Sequence, residues 1–179
     1  MERNNMTHTI NSIPWQRLTT AYGRGTELPQ LIANKEYHKI TDLIEHQGTL
    51  WQVTPWVLLV LLQELAEKQI EQVTADEILL YLAVAAVIPL AELDASKTVG
   101  MMDNLLDEKY LWSVNEDEDE FEWENHEARG YDSQAFLSYY YYSYELLRGA
   151  IPLFKQILAE HDHYATRKDV ERLLVLLTP

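Results

Sequence analysis

The chain has 179 residues, 47% of them hydrophobic and 24% charged, a balance that supports one globular core and excludes wholesale disorder. It contains no cysteine, which excludes a disulfide framework, a thiolate metal site and a cysteine nucleophile. Its 29 acidic against 14 basic residues give a formal net charge of -15, which repels phosphate backbones and anionic lipid, so neither nucleic acid nor a membrane surface is an expected partner.

Met1 to Asn11 are polar and lack an apolar run, so they do not read as a secretory signal; residues 1–12 are expected to be flexible and the chain cytoplasmic. Trp15, Leu18 and Tyr22 have helical spacing, with Gly23 as a stop. Thr26 then caps a short helix with Pro29 in its first turn and Leu28, Leu31 and Ile32 on one face, ending at Asn34. Tyr37, Ile40, Leu43 and Ile44 predict the next helix, with Gly48 to end it. Thr54 and Pro55 open Trp56 to Glu67, apolar on almost every side through Leu62 and therefore central.

Thr74 and Glu77 have capping-box spacing and open Ala75 to Ala91, which Pro89 should end about Val87 or Ile88. The longest apolar run, Ile78 to Ala91, is too short to span a bilayer. Asp94 caps a helix predicted over Ala95 to Asp107. The period then changes: Tyr110, Trp112 and Val114 alternate with other residues, as do Phe121 and Trp123 with Glu120, Glu122 and Glu124. This predicts an acidic β-hairpin over 109–130, turning at Asn115 to Asp119, its aromatic face on the helices and its carboxylates in water. Helices resume at Gln134 to Arg148 and Pro152 to Glu160, and a last one is capped by Thr166. The predicted fold is predominantly all-α, one domain over 1–179 built of antiparallel helix pairs with one inserted acidic hairpin.

Two stretches carry a resemblance. One is Ala21-Tyr22-Gly23, Pro29 and His46-Gln47-Gly48-Thr49-Leu50-Trp51, followed by Thr54 and an apolar helix; the other runs from Gly149-Ala150-Ile151-Pro152-Leu153 through Asp162 and Arg167 to the Leu173 to Leu177 run. Together they resemble a family of bacterial proteins built from degenerate HEAT-like helical pairs, and cover the N-terminal third and last fifth of the chain. Leu58 and Leu59 stand where that family usually has a proline, and Asp162 to Arg167 is a residue short. The same strings also read as an ordinary helix end, with Gly48 at the left-handed position and His46 at the negative end of the dipole. The resemblance implies an irregular HEAT-like array and the role of an immunity protein in a contact-dependent growth inhibition or other polymorphic toxin system.

From Glu116 to Glu127, eight of twelve residues are carboxylates, with no Lys or Arg among them. A purely solvating run lacks aromatics; here Phe121 and Trp123 are interleaved, so the segment can be ordered and offer hot spots to a partner. The candidate partner-binding residues are Glu116, Asp117, Glu118, Asp119, Glu120, Phe121, Glu122, Trp123 and Glu124. Five tyrosines, Tyr139, Tyr140, Tyr141, Tyr142 and Tyr144, are spread around one helix at about 100° per residue, so some face outward; Tyr139 and Tyr142 join the candidates. Glu160-His161-Asp162-His163 and Glu124-Asn125-His126-Glu127 offer metal-ligand types without a recognised spacing, and read as polar turns.

No catalytic, cofactor or metal motif stands out, so the expected activity is binding rather than catalysis, without a cofactor. The leading expectation is an immunity protein that blocks the active site of a basic toxin domain, a nuclease, with a carboxylate ridge that mimics phosphate. The alternatives are a protein-binding helical scaffold or winged-helix-like regulator, whose wing would be the hairpin, and a carboxylate hydrolase using a divalent ion held by the acidic cluster.

Overall fold

The computed structural model describes residues 8–125 and 132–179, and they are predominantly α-helical. Helices α1 (Leu28–Ala33) and α2 (Tyr37–Ile44) are joined by the short link 34–36 and pack on each other. In that link Lys35 takes φ 56; its N–H donates to the Ile32 carbonyl and that of Glu36 to Leu31, a left-handed helix end normally built with glycine. Helix α3 (Thr54–Glu67) carries Pro55 in its first turn, where the missing N–H has no intrahelical partner to lose. Trp56, Val57, Leu58, Val60, Leu61 and Leu65 are buried along it.

Helix α4 (Ala75–Ala86) is the hub, packing against α2 and against two later helices, α6 (Ser133–Gly149) and α8 (Tyr164–Leu177). Ile78, Leu80, Tyr81, Leu82, Val84 and Ala85 are buried on several of its sides. Each such aliphatic side chain removed from water contributes about 1.5–3 kcal/mol. Helix α6 lies against α3, and α7 (Ile151–Glu160) pairs with α8 across the link 161–163. His161 fixes that link: its ring is buried, Nε2 lies 2.9 Å from the Val73 carbonyl, and Nδ1 accepts the His163 N–H at 3.0 Å. No helix among the described residues is long and apolar enough to cross a membrane.

Two small antiparallel hairpins interrupt the helices. Strands β1 (Thr19–Thr20) and β2 (Gly23–Arg24) form one, β3 (Glu45–His46) and β4 (Thr49–Leu50) the other. Gln47 at φ 51 and Gly48 at φ 81 give the second a two-residue turn of the kind that matches strand twist.

Several expectations are corrected here. The acidic hairpin over 109–130 is not formed: residues 109–125 contain no strand, and 126–130 lie outside the described residues. Instead a 3-10 turn, Glu116–Glu118, leads into helix α5 (Asp119–Glu124). The Asn115 side chain accepts the Asp117 N–H at 3.1 Å, and the carboxylates that follow sit at the positive end of the helical turns, which outweighs a short alternation. Trp15 to Tyr22 forms only a 3-10 turn, Trp15–Arg17, before entering β1, because Leu18 to Thr20 pair with β2 and the 51–53 segment. Gly48 serves a hairpin turn, not a helix end. Ala95 to Asp107 breaks into two 3-10 turns, Ala95–Lys97 and Met102–Leu106, although Asp94 does cap the first. The last helix begins at Tyr164, two residues before the expected Thr166 cap. Helix α4 ends at Ala86, as Pro89 requires. Of the segment expected to be flexible, residues 1–7 lie outside the described residues, while His8 packs edge-on to Trp56 with ring centres 5.1 Å apart.

Candidate interaction site

The chain leading into the acidic segment is fastened to the N-terminal hairpin by three side chains. Gln52, itself buried, accepts the Thr19 N–H at 2.8 Å and donates to the Tyr110 carbonyl at 2.6 Å. The Trp112 N–H donates to the Arg17 carbonyl at 3.0 Å, and Arg17 Nε returns a bond to the Trp112 carbonyl at 2.7 Å while its guanidinium pairs with Glu108. Arg24, on β2, donates to the carbonyls of Gln16 at 2.9 Å and Ser113 at 2.8 Å. Residues 110–113 are therefore anchored through backbone groups before the carboxylates begin.

Arg24 then reaches α5. Its Nε donates to Asp119 Oδ2 at 2.7 Å and its Nη2 pairs with Oδ1, a bidentate clamp with the guanidinium largely buried. The hydrogen bond to Asp119 raises the guanidinium above its ordinary pKa against the opposing effect of burial, with further attraction from Asp119, Glu116 and Glu122. Trp112 lies under this clamp, 5.5 Å from the guanidinium to its ring centre, and 5.9 Å from the Trp123 ring. The first turn is held separately: Ser113 Oγ donates to Glu118 at 2.7 Å and accepts the Asn115 N–H at 3.2 Å.

The helical geometry reassigns the predicted residues. Asp119, clamped by Arg24, is partly buried, and Glu122, one turn on, is buried. Glu116, Asp117, Glu118, Glu120 and Glu124 are exposed. Phe121 and Trp123, expected to lie on the core, are 63% and 50% exposed, and Val114 beside them 80%. Helical positions two apart diverge by about 200°, so a pattern that would put both aromatics on one strand face puts them on different sides of α5. The result is an outward ridge of alternating carboxylate and aromatic surface.

The two candidate tyrosines are not part of it. Tyr139 is 1% exposed and belongs to the core, and the Tyr142 hydroxyl donates to the Val99 carbonyl at 2.6 Å. Arg24, which sets the geometry, was not singled out in the sequence; its only local signal is its position between Gly23 and Gly25 in an acidic chain. Of the metal candidates, His161 has both ring nitrogens engaged, and His126 and Glu127 lie outside the described residues. Among the described residues no three His, Asp or Glu side chains gather as a bound ion would require.

Comparison of the chain with protein-family models, curated proteins and solved structures yields no match.

Proposed function

We propose that the protein is an acidic binding partner for a basic macromolecule, and that the partner is a toxin domain, a nuclease, whose active-site cleft the Glu116 to Glu124 ridge occupies. The observation that carries this reading is the ordered exposure of two aromatics among five exposed carboxylates on a turn and helix pinned by Arg24. Aromatic side chains supply most of the contact energy at protein interfaces, whereas carboxylates steer a cationic partner and fix its register. Preformed spacing matters for phosphate mimicry because a ridge ordered before binding pays no ordering entropy at the encounter. The HEAT-like resemblance and the net charge of -15 support the same role.

The winged-helix alternative loses its support, because the segment that would form the wing contains no strand among the described residues. A scaffold role without a toxin partner is separated by one experiment. The tagged protein and a variant carrying Glu118→Lys, Glu120→Lys and Phe121→Ala are used side by side to capture partners from the native host, with elution by salt. The proposal expects a basic protein on the unaltered protein alone, with nuclease activity that is silent in the complex and returns on separation. Identical captures on both would contradict it.

A further inference from the structure

A groove of about 810 Å3 lies between α6 and the chain that follows α4, within the range of about 300–1,000 Å3 typical of preformed binding sites. It exists because Pro89 stops α4 at Ala86 and the next residues run on in 3-10 turns, Leu90–Glu92 and Ala95–Lys97, which leave the Phe136 and Leu137 side of α6 uncovered. Its apolar wall is Val87, Leu93, Phe136 and Leu137, with Leu137 43% exposed. The wall is already fixed: Phe136 packs edge-on to Tyr140 at 5.5 Å, and the Tyr140 hydroxyl donates to the Gly48 carbonyl at 3.3 Å and accepts the Leu50 N–H at 3.1 Å.

The mouth is acidic. Asp94 accepts from the side-chain hydroxyl and backbone N–H of Ser96, which hold its carboxyl below the ordinary range, and Lys97 lies 3.5 Å from it. Glu92 is exposed, and its carboxylate has no ion pair or hydrogen bond among the described residues. The mouth's one cation is thus matched, and one carboxylate is left over.

The groove is joined to the acidic ridge through the two small hairpins, by side-chain contacts and the chain between them. From Gly48 the chain runs back through Gln47 to His46 at the end of β3, whose Nδ1 is 3.3 Å from the Tyr22 hydroxyl. Tyr22, 68% exposed, sits in the turn before β2, and Arg24 of β2 clamps Asp119.

We infer that the groove seats a second segment of the basic partner, one that presents an aliphatic or aromatic side chain next to a Lys or Arg. The apolar side chain packs on Leu93 and Phe136, and the cation meets Glu92. The inference rests on the basic-partner reading above, and charge complementarity at the mouth together with continuity to the ridge is what selects this occupant.

The test is backbone amide NMR of the labelled protein with three capped hexapeptides: alternating lysine and leucine, alternating glutamate and leucine, and all lysine. The Lys/Leu peptide is expected to move the amides of Gly48, Leu93, Phe136 and Leu137, the Glu/Leu peptide to leave them, and hexalysine to move only 116–124. Leu137→Asp should weaken the groove response about tenfold or more, because the substitution puts a carboxylate against the apolar side chain. If the Lys/Leu peptide moves 116–124 alone, the groove inference fails and the basic-partner reading stands. If it moves the groove while hexalysine leaves 116–124 unchanged, the groove inference stands and the ridge reading fails. A groove response equal for the Glu/Leu peptide, or no response at all, overturns the inference.

Discussion

A Cβ on Gly25 would sit 2.9 Å from both the Trp15 carbonyl oxygen and Val53 Cγ1, and 3.1 Å from Leu28 Cδ1, so at this position the backbone itself is part of the packing. Two of these neighbours are backbone and buried core, which cannot swing aside. Gly25→Ala should therefore cost about 1–3 kcal/mol of stability by overpacking, measured by urea denaturation at constant m-value. The sequence shows a glycine beside Arg24 but not what approaches it. Local spacing carries chain direction and capping, as at Pro89 and Asp94, whereas a close approach between residues 15, 25 and 53 depends on three segments meeting. The same limit hid Arg24, whose partners are Gln16, Ser113 and Asp119.

At the scale of elements, helices α1 to α4 and α6 to α8 were legible, whereas the segments 15–22, 45–50 and 95–125 were not. The spacing that predicts α2 and α6 is reinforced by burial of the face it marks, and the caps and apolar runs that predict α3 and α4 lead into helices buried on several sides. Over 110–124 two patterns competed: a brief alternation, and an Asn followed by carboxylates as at a helix start. The second prevailed because Arg17, Arg24 and Gln52 already hold 110–113 by its backbone, leaving no second strand to pair with. If Arg24 organises the ridge, Arg24→Met should cost about 1–3 kcal/mol by leaving Asp119 without its partner. It should also increase acrylamide quenching of Trp123, the one exposed tryptophan, in a variant whose half-buried Trp51 is replaced by Phe; unchanged quenching would show that α5 stands without the clamp.

A second ionic element joins α3 to α4. The Lys68 ammonium, 9% exposed, lies 2.6 Å from Glu77, which is 1% exposed, and 3.2 Å from the Tyr37 hydroxyl. Burial lowers the Lys68 pKa, but Glu77 and Tyr37 together raise it above 10.5. Burial raises Tyr37 and Tyr81, with Glu77 adding to both. All three groups hold their protons more tightly when folded. Their contribution is complete below the unfolded values, near 10 to 10.5, and is lost as pH rises through the higher folded values. Thermal melts should thus show a steep fall in stability on the alkaline side of that range. Glu77→Gln should cost about 3–5 kcal/mol at neutral pH, since it leaves the ammonium buried without its counter-charge.

For the whole molecule, apolar spacing and helix caps along the chain were sufficient to give its predominantly α-helical character, and composition gives it a net charge of -15. What composition did not give was the distribution of that charge. The carboxylates of 116–124 divide into two that are partly or wholly buried, Asp119 and Glu122, and five that are exposed, and it is the exposed five that can meet a partner. Because exposed charges are screened over about 8–10 Å at ordinary ionic strength, association through them must weaken as salt rises, while contacts made by Phe121 and Trp123 persist.

Whether the exposed carboxylates of this ridge bind a basic partner is read by titration calorimetry with the captured protein at rising salt. The unaltered protein should lose affinity steadily with salt, Glu118→Lys with Glu120→Lys should bind about tenfold or more weakly at low salt with a shallower dependence, and Glu71→Lys, a like reversal outside the ridge, should behave as the unaltered protein. Affinity that ignores salt, or that survives the double reversal, would mean that the partner does not bind through these carboxylates.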